Sequence, residues 1–322
     1  MPTAPPSTGS SRPRPLRAAT TPRWRVWFNA VRPRSFTTST VPVVAAAALA
    51  MVDGAIDPWL FVLMLVASIF THAACNLTND YFDDRRGVDS AVTLGQGGAL
   101  QRGDLTHDDL RNGIMVSFGI AILAAVPVIA AVGPVVFWIG IFSAAAAYLY
   151  TAGPFPLAYW ALGEVTVFLT MGIGMVCGAY YVLRGYVSTP AILLGAAIGL
   201  LAAAFLHANN MRDVETDRAM RKRTLANLLP HGVSIAWYAL LLFTPYALAI
   251  AMFVRQPELY PVLLVWLSFP TAYKLVERGG LATTSAQLNI ITRKTAGLHL
   301  RFCTLMSLGL MLAVLMTRVQ SV

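Results

Sequence analysis

Long apolar stretches alternate with short polar ones along almost the whole chain. With generous boundaries the apolar runs cover residues 37–53, 58–80, 112–132, 134–151, 160–183, 190–210, 233–254, 259–275 and 299–317. Each approaches the ~20 residues that an α-helix needs to cross a bilayer, and a helix satisfies its backbone polar groups within one segment. The pattern predicts an all-α, polytopic membrane protein with nine transmembrane helices, the division at Gly133-Pro134 being the least marked. Composition agrees, since 57% of the residues are hydrophobic and 12% are charged, against about 25% charged in soluble domains. Mean hydropathy is +0.62, which disfavours a soluble helical protein with unusually buried helices.

Charge tests the helix count independently, because cytoplasmic loops retain Lys and Arg. The 24 basic residues gather before the first run and after the second, sixth and eighth, leaving only Arg184, Arg255 and Arg318 for the other side. The N-terminus is therefore expected in the cytoplasm and the C-terminus outside, and an even number of helices would break the alternation. Residues 1–22, rich in Pro, Ser, Thr and Arg, read as a disordered basic tail that at most touches anionic headgroups; residues 23–322 read as a single transmembrane domain. A signal peptide ending near AAAALA would have too long a basic region and would remove a helix that the alternation needs. The net charge of +9 follows from this bias and the tail and calls for no nucleic acid. Cys75, Cys177 and Cys303 have no paired spacing, so neither a disulfide framework nor a zinc site is expected.

In a chain so poor in carboxylates, the stretch CNLTNDYFDDRRGVD from Cys75 to Asp89 is the exception. It falls at the cytoplasmic end of the second helix, where Asn76, Asn79, Asp80 and Asp83 share about 100° of helical arc. An acidic residue at membrane depth costs about 2.5–3.5 kcal/mol on insertion scales, so a cation is expected to offset it. Arg85 and Arg86 could do so in a salt-bridged helix end, and this stretch alone leaves that reading open. A second copy, HANNMRDVETDRAMRKRTLA, closes the sixth helix, with Asn209, Asp213 and Asp217 spaced by four on one face. The two copies also suggest a duplication of helices one to four in helices five to eight. Hard oxygen ligands favour Mg2+, which is usually held by a few carboxylates together with substrate phosphate oxygens. Two facing clusters flanked by Arg86, Lys222 and Arg223 suit a bridged diphosphate, and apolar helices suit its lipid tail, which describes a polyprenyl diphosphate.

These stretches resemble the UbiA superfamily of intramembrane prenyltransferases. NDYFD (Asn79 to Asp83) and DVETD (Asp213 to Asp217) look like its two aspartate-rich motifs. VRPRSFTTSTVPV, YTAGPFPLAYWALGE (Tyr150 to Glu164) and the second acidic stretch resemble most fully its menaquinone branch, the 1,4-dihydroxy-2-naphthoate polyprenyltransferases. The resemblance covers roughly residues 27 to 318 and implies nine helices around a central cavity with a cytosolic cap and an opening to lipid. It implies that Asp80, Asp83, Asp213 and Asp217 bind Mg2+, that Asn79 and Asn209 support metal and diphosphate, and that Arg86 and Lys222 contact phosphate. The branch also carries an arginine before a Gln/Glu-Gly turn, which is missing or displaced in LGQGGALQRGDL. The expected reaction is Mg2+-dependent transfer of a polyprenyl group to an aromatic acceptor, most fully 1,4-dihydroxy-2-naphthoate with loss of CO2, in a bacterial inner membrane.

Tyr148, Tyr150 and Tyr159 are candidates to face an allylic cation, with an interfacial aromatic belt as the plainer reading. Glu164 is a candidate to orient a phenolic acceptor or accept its proton, with a helix-entry carboxylate as the alternative. His72 and His207 read as packing histidines, since Mg2+ prefers oxygen. The glycines of GPFP and MGIGMVCG read as turns and close helix contacts, not phosphate cradles. Other phenolic acceptors remain open within the enzyme class. A divalent-cation transporter is the rival outside it, but it predicts acids near the bilayer midplane, often on broken helices.

Overall fold

The computed structural model describes residues 21–85 and 98–320. Among these residues the backbone is helical apart from connections and one isolated bridge between Trp160 and Arg223. The elements are α1 (Arg23–Val31), α2 (Thr37–Val52), α3 (Pro58–Arg85), α4 (His107–Val132), α5 (Pro134–Leu149), α6 (Gly163–Arg184), α7 (Thr189–Arg212), α8 (Val214–Ala219), α9 (Leu225–Leu228), α10 (His231–Arg255), α11 (Pro257–Leu281) and α12 (Ser285–Gln320). Seven of them, α3, α4, α6, α7, α10, α11 and α12, are long and apolar enough to cross a membrane. The other two expected spans correspond to α2 and α5, apolar helices of 16 residues each. α2 is prolonged by the 3-10 turn Pro33–Phe36, in which Pro33 supplies a preset φ at the first helical position.

Exposed large apolar side chains such as Leu123, Trp138, Phe142 and Leu315 stud α4, α5 and α12. On an outer surface of this extent they mark a lipid-facing belt, and the chain is an integral membrane protein.

The helices fall into two unequal halves. α7 is the most buried span, 67% of its apolar window lying inside the protein, and it packs on α2, α6, α10 and α12. Small residues allow the approach: a Cβ at Gly172 would lie 2.3 Å from the Cα of Gly199, so α6 and α7 touch backbone to backbone. α6 carries a π-helical turn over Phe168–Gly174 at this contact. The other half, α3 to α5, has two smaller apolar cores among the described residues, one formed with α6 around Leu63, Val128, Val136 and Val182 and one formed with α1 around Val26, Leu77 and Leu110. Its inner faces instead line a cavity of about 1620 Å3, walled by residues such as Met64, Phe118, Ile122, Phe137, Met171 and Met175.

Candidate active site

α3 runs unbroken to Arg85, and its last two turns carry the first acidic stretch. Asn79 and Asp83, one helical turn apart, both line a polar pocket of about 170 Å3 that adjoins the large apolar cavity. Each is held from the α5–α6 connection: the Thr151 hydroxyl donates to Asn79 Oδ1 at 2.6 Å, and the Tyr159 hydroxyl donates to Asp83 Oδ1 at 2.8 Å. Asp80 points elsewhere. It is buried, forms an ion pair with Arg32, and lines neither cavity. Arg32 reaches it from a left-handed backbone position (φ 55°) between α1 and the Pro33 turn, a strained conformation for a non-glycine residue. Asn76 fixes the same segment, donating to the Val31 carbonyl at 2.9 Å and to Ser35 Oγ at 3.0 Å.

The second acidic stretch is not one continuous helix. α7 ends at Arg212, Asp213 occupies its C-cap with φ −100° and ψ 12°, and Asp217 sits in the short α8. The spacing of four nevertheless survives, because Asp213 N–H donates to the Asn209 carbonyl (3.1 Å) and Asp217 N–H donates to the Asp213 carbonyl (2.8 Å). Asn209 and Asp213 line both cavities, opposite Asn79 and Asp83, and Asp217 lines the larger one. Arg212 grips Asp213 in a two-pronged pair at 2.7 and 2.6 Å. Lys222 Nζ lies 3.2 Å from Asp217 Oδ1 and 5.8 Å from the Tyr159 ring centre. Burial pushes the Asp217 carboxyl up from its ordinary value, against the pull of the Lys222 ammonium.

Backbone bonds tie the α5–α6 connection to the segment after α8. Arg223 N–H donates to the Tyr159 carbonyl at 3.2 Å, and Ala161 N–H donates to the Arg223 carbonyl at 2.9 Å. The Arg223 side chain lies over the Trp160 ring and lines neither cavity, unlike Lys222. Tyr150 lines both cavities, whereas Tyr148 is 42% exposed with its ring edge-on to Phe82, as an interfacial aromatic would be. Glu164 is 2% exposed at the start of α6 and lines the polar pocket. Arg86 lies outside the described residues, as do residues 1–20 of the tail and the first part of LGQGGALQRGDL.

The donor set fits Mg2+. Asn79, Asp83, Asn209, Asp213 and Asp217, all carrying oxygen donors, line the two adjoining cavities, and Asp217 Oδ2 is buried with no hydrogen-bond partner. Among the described residues no three His, Cys, Asp or Glu side chains gather closely enough to hold a metal unaided. That suits an ion completed by substrate phosphate oxygens, the usual habit of Mg2+. Arg32, Thr151 and Arg212 were not singled out from the sequence, and Tyr159, a candidate there for its ring, meets Asp83 through its hydroxyl. Each of the first three nevertheless stands inside a quoted stretch: Arg32 in VRPRSFTTSTVPV, Thr151 in YTAGPFPLAYWALGE and Arg212 in HANNMRDVETDRAMRKRTLA.

A polar, acid-and-base-lined pocket at one end of a helical membrane bundle, adjoining a large apolar cavity, is the form of an intramembrane enzyme. The sequence profile of the UbiA prenyltransferase family matches residues 39–292, and the chain belongs to that family. It is 30% identical to 1,4-dihydroxy-2-naphthoate octaprenyltransferase of Bacillus subtilis (strain 168), over 90% of this chain and 93% of that protein. It is 32% identical to UbiA prenyltransferase domain-containing protein 1 of Gallus gallus, covering 88% of this chain and 84% of that one. Among solved structures, a UbiA homolog from Archaeoglobus fulgidus bound to GPP and Mg2+ superposes with a TM-score of 0.62 at 15% identity, over 88% of this chain and 99% of that chain. An apo UbiA homolog from Aeropyrum pernix K1 gives 0.64 at 17% identity, over 86% and 98%. These two likenesses bear on the fold alone.

Proposed function

We propose that this prenyltransferase moves a polyprenyl group from an allylic polyprenyl diphosphate to 1,4-dihydroxy-2-naphthoate, with release of diphosphate and CO2. The observation that carries the reading is the meeting of the two acidic helix ends, with Lys222 and Glu164, in one polar pocket that opens on an apolar cavity. The name of the Bacillus subtilis relative supports the acceptor. The reading includes a bacterial cytoplasmic membrane, with the acidic end of the bundle on the cytoplasmic side where the basic residues concentrate.

Asn79, Asp83, Asn209, Asp213 and Asp217 would hold Mg2+ together with the diphosphate. Asp80 serves instead to anchor Arg32. Bound Mg2+ supplies charge neutralisation for the departing diphosphate. Lys222 and Arg212, which pair with Asp217 and Asp213 in this structure, are near enough to bind the remaining phosphate oxygens. Met64, Phe118, Phe137 and Met175 take the prenyl chain and keep water from an allylic cation, while Tyr150 offers a ring face to it. Glu164 faces the acceptor hydroxyl.

The test is to incubate the purified protein in lipid with Mg2+, 1,4-dihydroxy-2-naphthoate and prenyl diphosphates of several lengths, reading products by mass. A prenylated product lacking CO2 is the expected result. Prenylation only of other phenols would keep the transferase and discard the naphthoate, and no Mg2+-dependent transfer to any acceptor would refute the reading.

A further inference from the structure

We infer that His207, backed by Ser234 and joined by Asn210, is a positioning residue that presents Glu164 as the group taking and returning the acceptor's hydroxyl proton; this rests on the proposed transfer reaction. The four side chains come from α6, α7 and α10, and each is buried. Glu164 Oε1 accepts from Asn210 Nδ2 at 3.0 Å and lies 3.1 Å from His207 Nδ1. Glu164 Oε2 is equally buried but has no hydrogen-bond partner, and the residue borders the pocket that Asn79, Asp83 and Tyr150 also line. A carboxylate kept only for structure would have both oxygens satisfied, because an unpartnered buried acceptor costs about 1–3 kcal/mol. One oxygen is doubly held and the other is enclosed without a partner in a residue that borders the pocket, the arrangement of a group awaiting a ligand donor.

With Oε1 accepting, His207 Nδ1 carries a hydrogen. Nε2 meets Ser234 twice, its hydroxyl at 2.9 Å and its carbonyl at 3.2 Å. The hydroxyl can donate to a bare Nε2 and the carbonyl can accept from a protonated one, so the imidazole stays bonded whichever form it takes. The other charged or titratable groups around the pocket are Arg32, Asp83, Tyr150, Tyr159, Asp213 and Lys222.

In the step itself the acceptor O–H bond breaks and its proton passes to Glu164 Oε2. The allylic C–O bond breaks, diphosphate leaves with that electron pair, and the ring carbon then forms a bond to the allylic cation. The bond from ring to carboxylate then breaks, CO2 departs, the electron pair restores the aromatic ring, and the hydroxyl regains its proton from Glu164. No oxidant is needed and the net proton count is unchanged.

The test uses the full chain in lipid, geranyl diphosphate as donor, and 1,4-dihydroxy-2-naphthoate with ring-substituted analogues of graded hydroxyl acidity. Glu164→Gln is expected to lower kcat by roughly 100-fold or more, the scale of a lost proton acceptor, with the loss shrinking as the acceptor becomes more acidic. His207→Leu is expected to lower kcat about 10-fold while Mg2+-dependent geranyl diphosphate binding stays within about twofold, and His207→Gln, whose amide can donate to Oε1, to recover most of it. Should His207→Leu fail to fold, His207→Gln and Glu164→Gln carry the test. Wild-type-like turnover in Glu164→Gln, a loss independent of acceptor acidity, or loss of diphosphate binding in step with turnover would overturn the inference. Failure of the unmodified protein to transfer to any acceptor would instead overturn the proposed reaction, and this inference with it.

Discussion

At the end of α3 the acidic side chains ride on an unbroken helix, whereas at the end of α7 the helix stops one residue before the first of them. The unbroken helix sorts its side chains by angle. Asn79 and Asp83, four apart, stay on the cavity side, and Asp80, one residue after Asn79, turns about 100° away to meet Arg32. The broken helix sorts by local pairing: Asp213 is gripped by its neighbour Arg212, and Asp217 is carried down to Lys222. Similar motifs in sequence are therefore built differently, one aspartate of the first cluster being paired with Arg32 of the N-terminal segment.

Substitutions that remove the cavity-facing acids should have the largest effects. Asp83→Asn and Asp213→Asn should each lower transfer by roughly 100- to 1,000-fold, the scale seen when charge stabilisation is removed from a reacting site. Steady-state kinetics under saturating Mg2+ would check this. Asp80→Asn should behave differently, retaining transfer within about tenfold while costing about 1–3 kcal/mol of stability through its damaged contact with Arg32; thermal unfolding in detergent would separate the two. Tyr159→Phe deletes one hydrogen bond to Asp83, and kcat/KM should fall about three- to tenfold, matching about 0.5–1.5 kcal/mol. Arg223→Ala, which touches Trp160 rather than the cavity, should leave transfer within about twofold. A large loss there would move the phosphate site outward from Lys222.

The spans were legible because lipid forces long apolar helices, and the seven long ones and two short ones fall where the apolar runs do. Both acidic stretches and the buried Glu164 were legible as exceptions to that background. The partners were not. Arg32 lies 48 residues from Asp80, and His207 lies 43 from Glu164, so each pairing is made by tertiary packing and has no local signature. Asp217's departure from the α7 helix was hidden for a related reason: the hydrogen bonds across Asp213 preserve the spacing that a continuous helix would give. His207 reads in sequence as a packing histidine and is indeed fully buried, but its bond to Glu164 gives the packing a direction. Arg223 looked equivalent to Lys222 because they are adjacent; a backbone bridge to the Tyr159–Ala161 segment turns their side chains apart.

The central claim is that Asp83 and Asp213, from two different helix ends, bind one Mg2+-diphosphate unit and that Asp80 does not. It is tested most directly by titrating geranyl diphosphate into the protein and its Asp80→Asn, Asp83→Asn and Asp213→Asn variants, with Mg2+ and with EDTA. Mg2+-dependent binding is expected in the parent and in Asp80→Asn, lost in the other two and lost everywhere with EDTA. Binding that survives Asp83→Asn or Asp213→Asn, or that vanishes in a folded Asp80→Asn, would contradict it.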